Sequence, residues 1–158
     1  MSLRTAFLAA AALSLSAFAQ APSAPPGVMD PSQFKPLPDR KDVVSWKLLA
    51  QVELVKMKDK FVAQFSADVA TLDKKEVKLQ GFMMPLEMGD KQTHFILSAM
   101  PQSCAFCMPG GPEQLVEVRS TKPVKYTFDP VVLTGKLAVL KDDPTGVYYR
   151  LTDAQPSN

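Results

Sequence analysis

Apolar and polar side chains alternate through most of the second half of the chain, and that alternation predicts strands. Val77, Leu79, Gly81 and Met83 interleave with Lys78, Gln80, Phe82 and Met84. Successive strand residues point to opposite sides, so this run has one apolar face. Phe95, Leu97 and Ala99 alternate with His94, Ile96 and Ser98 in the same way. Leu115 to Arg119 and Val124 to Phe128 predict two more strands, the second fenced by Pro123 and Pro130. Val131 to Leu140 and Val147 to Thr152 complete the set. Upstream, Val44, Trp46 and Leu48 share one side of an extended run, although Trp46 to Ala50 equally suits a single helical turn. Ser66 is a good N-cap for one short helix over Ala67 to Leu72, which Asp73-Lys74-Lys75 ends as a turn.

The strand pattern repeats. Val77-x-Leu79-x-Gly81-x-Met83 recurs as Val131-x-Leu133-x-Gly135-x-Leu137, and Phe95-x-Leu97 recurs as Tyr149-x-Leu151, each position displaced by 54 residues. Phase is kept across both strands of each copy, which matters because a slip of one residue turns every side chain to the other face. Gly81 and Gly135 fall inside strands and mark bulges or corners of a curved sheet. The expected fold is mainly β: a small OB-like barrel or sandwich of about six to seven strands with one short helix.

Composition changes the picture at the N-terminal end. Arg4, the apolar run Thr5 to Ser16 and Ala17-Phe18-Ala19 read as a secretory signal over residues 1–19, cleaved after Ala19. The apolar run is shorter than the roughly 20 residues of a membrane span, so no membrane insertion of the mature protein is expected. Export implies a periplasmic location. Six of the 14 prolines fall between Pro22 and Pro38. Residues 20–41 are therefore expected to be an extended linker without a core of its own. A single β domain should cover 42–154, with 155–158 as a disordered tail.

Net charge is only +2, and no run of five like charges occurs, so nucleic acid is not an expected partner. There is one histidine and no Gly-x-Ser-x-Gly elbow, phosphate-cradling glycine loop or dinucleotide fingerprint. The one chemically distinctive stretch is Ser103-Cys104-Ala105-Phe106-Cys107-Met108-Pro109-Gly110-Gly111-Pro112. Two cysteines at this spacing suit a soft metal ion, a redox-active disulfide or a structural staple. A redox pair normally opens a helix that lowers the thiol pKa, and Met-Pro-Gly-Gly-Pro cannot continue as one. A staple over so short a loop adds only about 2 kcal/mol. Copper(I) needs little beyond two thiolates and accepts thioethers, which brings in Met108 and Met100; zinc needs four ligands. His94 is the natural extra ligand for zinc, but it lies ten positions before Cys104. Asp142-Asp143 reads as a solvated turn before Pro144.

Gly81-Phe82-Met83-Met84-Pro85-Leu86-Glu87, His94-Phe95-Ile96-Leu97 and the Cys104 loop together resemble a bacterial family of exported proteins. That family is known as domain of unknown function 3299, and the resemblance runs from about Trp46 to Ala154. Many members of the family carry a cysteine and a histidine close together in this loop; by resemblance Cys104 matches the cysteine, and Cys107 stands near the histidine's place. An exchange of Cys/His for Cys/Cys fits a metal site better than a staple. Relatives resemble components encoded near membrane transport systems, which implies a membrane transport complex or a metal donor as partner. The expected function is that of a non-enzymatic periplasmic accessory protein binding copper(I) or zinc through Cys104 and Cys107, with Met108, Met100 and His94 as further candidates. A thiol–disulfide oxidoreductase using the same cysteines, and an interaction module with a Cys104–Cys107 disulfide, are the alternatives. Two chains pooling their cysteine pairs around one zinc would carry the same sequence.

Overall fold

Two serines start the two short α-helices among the described residues. Ser45 Oγ accepts the Leu48 N–H at the head of α1 (Trp46–Leu49), and Ser66 Oγ accepts the Val69 N–H at the head of α2 (Ala67–Ala70). The Trp46 run thus adopts the helical alternative, giving a second short helix beside the expected one. The computed structural model describes residues 37–102 and 110–157. Between the helices lies a two-stranded ribbon, β1 (Val52–Met57) and β2 (Lys60–Phe65), turning at Lys58 in the left-handed region. The sequence pattern did not predict this ribbon: Leu54 and Val55 stand side by side, and Leu54, Met57 and Phe61 are all more than half exposed. Such a pattern lacks the apolar/polar period that betrays a half-buried strand.

Five further strands form a closed barrel: β3 (Glu76–Pro85), β4 (Lys91–Ser98), β5 (Leu115–Lys125), β6 (Val131–Val139) and β7 (Tyr149–Pro156), in the order β3-β4-β5-β7-β6. Pairing is antiparallel except between β5 and β7. Closure removes the free edges that an open sheet would present.

Two strand expectations need correction. The runs Leu115–Arg119 and Val124–Phe128 are one strand, β5, and Pro123 lies inside it. Proline is tolerated there because the β4–β5 register shifts between Gln92 and His94, so no ladder bond is asked of its nitrogen. The last strand runs to Pro156, past Thr152 and Ala154, with Asp153 in the left-handed region where the β6–β7 register shifts.

The repeat is a structural one. Met83↔Leu97 and Met84↔Ile96 in the first hairpin match Leu137↔Leu151 and Ala138↔Arg150 in the second, with the 54-residue displacement preserved. The two copies also pair with each other: Val77 opposes Gly135, Leu79 opposes Leu133, and Gly81 opposes Val131. A Cβ on Gly81 would stand 2.6 Å from the Ser98 carbonyl oxygen and 2.8 Å from Leu97 Cγ. On Gly135 it would stand 2.7 Å from the Thr152 carbonyl oxygen and 3.0 Å from Leu151 Cγ. Glycine is required at both places by close strand approach.

Leu79, Phe95, Leu97, Val116, Val118, Leu133, Leu137, Tyr149 and Leu151 fill the barrel. Leu49 from α1 and Val69 from α2 join this core at one end. The Tyr149 hydroxyl donates to the Leu49 carbonyl, and burial pushes its pKa up. Residues 38–46 run along β3 and are tied to it. The Val44 N–H donates to the Lys78 carbonyl at 2.9 Å, Trp46 Nε1 to the Gln80 carbonyl at 2.8 Å, and Gln80 Nε2 to the Pro38 carbonyl at 2.6 Å. No helix among the described residues is long and apolar enough to cross a membrane.

Candidate functional site

Strand directions put the β4–β5 connection at the same barrel end as α1, α2 and the β6–β7 loop. The Ala99 N–H donates to the Gln114 carbonyl at 3.1 Å, clasping the two ends of the connection together. Ser98 Oγ accepts the Met100 N–H at 3.1 Å on the way out. On the way back Gly110 takes φ 119°, and Pro112–Gln114 makes a 3-10 turn leading into β5. Cys104, Cys107 and Met108, with Phe106 between the cysteines, lie outside the described residues. Met100 is described: it stands at the root of the connection, 49% exposed.

His94 is placed differently. It lies on β4, four residues before the strand's end at Ser98, or roughly 13 Å along an extended chain. Its Nε2 is 2.9 Å from Glu117 Oε1. Of the further ligand candidates named from sequence, Met100 is at the connection and His94 is held in a carboxylate network on the barrel wall. Met83 is buried, as a core-filling methionine should be, and Met84 is buried as well.

That network was not anticipated. Glu117 on β5 accepts from His94 and from Arg119 Nε and Nη2 (3.1 and 3.0 Å) at Oε1, and from Arg150 Nε (2.6 Å) at Oε2. Arg150 reaches on to Asp143 at 3.1 Å. Burial pulls the Glu117 carboxyl upward, but hydrogen bonds from Arg150, His94 and Arg119 outweigh it and hold the pKa below its ordinary value. Asp143 is likewise held low, first by the Thr145 hydroxyl and N–H and then by Arg150. Asp142 pairs with Lys60 of the ribbon. The acidic pair therefore ties the β6–β7 loop to its neighbours and is more than a solvated turn. Only β4–β5–β7 adjacency could have revealed the set: His94 opposes Arg119 and Glu117 opposes Arg150, partners remote in sequence. With two arginines occupying it, Glu117 is a structural carboxylate. Among the described residues no group of three or more His, Cys, Asp or Glu side chains could hold a metal ion.

The family profile described as "Protein of unknown function (DUF3299)" matches residues 33–154. The chain belongs to this family. Among solved structures, it is similar to a DUF3299 family protein from Pseudomonas aeruginosa PAO1. The two share 25% identity over 61% of this chain and 68% of that one, with a TM-score of 0.48. No curated protein matched. The family resemblance seen in the sequence is thereby established.

Proposed function

We propose that this DUF3299 protein is an exported, periplasmic accessory protein that holds a soft metal ion, copper(I) or zinc, on Cys104 and Cys107. The observation that carries the reading is the clasped β4–β5 connection. Its described ends are held together by the Ala99–Gln114 hydrogen bond, with the Met100 side chain exposed beside them. Thioether and thiolates are the ligand set copper(I) prefers. Met108 is the other sulfur available to this set. His94 is not assigned to it, since its Nε2 meets Glu117. A membrane transport complex or a metal donor is the partner that fits this role.

The thiol–disulfide reading is weaker for a specific reason. Among the described residues the connection returns through a 3-10 turn directly into β5, with no α-helix from Gly110 to the strand to stabilise a thiolate. Native mass spectrometry of the mature protein, isolated from periplasm without chelator, tests the proposal. The expected mass includes one copper or zinc that is lost in Cys104→Ser and Cys107→Ser. A metal-free mass two hydrogens light in the wild type, unchanged on adding copper(I) after reduction, overturns it. A dithiol-driven reductase assay then separates enzyme from staple.

A further inference from the structure

Successive strand residues point to opposite sides, so Gln80, Phe82 and Met84 of β3 face away from the core positions Leu79 and Met83. Ile96 of β4 and Leu115 of β5 alternate in the same way with the core residues Phe95, Leu97 and Val116. The register lines these side chains up in two cross-strand rows, Phe82–Ser98–Leu115 and Met84–Ile96–Glu117. Met84, Ile96 and Leu115 form an apolar cluster separate from the barrel core. Unlike the core, this cluster has no partly buried apolar side chain of the described residues packed against it, and Phe82 belongs to neither cluster. Even so, all four are more than nine-tenths buried, Phe82 to 5% exposure. Apolar side chains on the far side of a barrel wall reach such burial only under a cover.

A polar atom beside this patch is also left open. Gln80 is buried, and its Nε2 donates to the Pro38 carbonyl, but its Oε1 has no partner among the described residues. A buried acceptor without a donor is costly. Pro38, Asp42, Val44 and Trp46 all bond to Lys78 or Gln80, which sets Pro38 at the edge of the patch. We propose that the cover is the chain's own segment 33–36, with Phe34 seated on Phe82 and Met84 and a backbone N–H donated to Gln80 Oε1. Phe34 is the one aromatic residue from Gln20 to Pro36. It lies four positions before Pro38, a reach of at most about 13 Å. Gln80 to Met84 spans about the same distance along β3, roughly 13 Å. Lys35 and Leu37 each precede a proline, which favours the extended path this reach needs. Pro36 has no N–H to give, so the donor to Gln80 comes from residues 33–35. The family match also starts at residue 33. The Pro-rich spacer then ends at Ser32, and the domain begins with Gln33. This docking is independent of any metal on the cysteines.

The test puts p-benzoylphenylalanine in place of Phe34 in the full mature chain and maps its photo-crosslink by peptide mass spectrometry. The expected product joins position 34 to residues 80–85, Ile96 or Leu115 of the same chain. Amide exchange gives a second readout. Phe34→Ser should speed exchange at Phe82 and Met84 about tenfold, the scale of one aromatic side chain's lost burial, and leave Leu133 and Leu137 unchanged. No crosslink, a crosslink elsewhere on the chain, or one to a second chain overturns the inference. So does unchanged exchange in Phe34→Ser; acceleration in Phe106→Ser instead would assign the cover to the cysteine connection.

Discussion

Leu79 and Leu133 face each other across β3 and β6, and the matched positions of the repeat are arranged symmetrically about that pair. Val77 and Gly81 of one copy meet Gly135 and Val131 of the other, so the two copies seal the barrel against each other. This makes the two mid-strand glycines equivalent in environment as well as in sequence.

Gly81→Ala and Gly135→Ala should therefore destabilise by similar amounts, about 1–3 kcal/mol each. The atoms in the way include backbone carbonyl oxygens, which cannot rotate aside as a side chain would. Urea denaturation measures both. A neutral effect at either glycine would mean that its strands separate locally at little cost.

Glu117 should give the fold an acid-sensitive component. Its folded pKa is below its unfolded value, so the stabilisation is fully present above the unfolded carboxylate range near about 4.3. It is lost as pH falls from there through the depressed folded value. Stability curves between neutral pH and pH 3 should be steeper for the wild type than for Glu117→Gln. At neutral pH that variant should lose about 1–3 kcal/mol, because Arg150 and Arg119 lose their shared carboxylate. Parallel curves would show that Glu117 titrates as it does in the unfolded chain.

Tyr149→Phe removes a buried hydroxyl and leaves the Leu49 carbonyl without that donor. The expected loss is about 1–2 kcal/mol, with slower amide exchange lost first around α1. An unchanged midpoint in thermal unfolding would show that Leu49 and its neighbours dock by packing alone.

Under the proposed function, His94→Gln should leave any bound metal in place while lowering stability slightly, since it removes the imidazole hydrogen bond to Glu117. Loss of metal in this variant, seen by native mass spectrometry, would move His94 into the site and displace Met100.

The barrel was legible in the sequence because inward positions of a closed sheet must be apolar at every second residue. The two hairpins obey that rule in phase, from Val77 to Met83 and again from Val131 to Leu137. The ribbon was not, because Leu54, Met57 and Phe61 remain exposed and so break the period. Pro123 misled for a local reason: proline argues against a strand interior, but at an irregularity in the ladder its missing N–H costs nothing. The cysteine spacing and Met100 could be read directly. The Glu117 network could not, since its members come together only when β5 lies between β4 and β7.

The bond between Tyr149 and Leu49 joins residues 100 positions apart. A chain growing from its N-terminus makes the end cap α1 early and the tyrosine that fastens it almost last. Until β7 is available, β5 and β6 each lack a neighbour and the barrel cannot shut. Such non-local closure folds slowly, which suits the export that we propose for this protein.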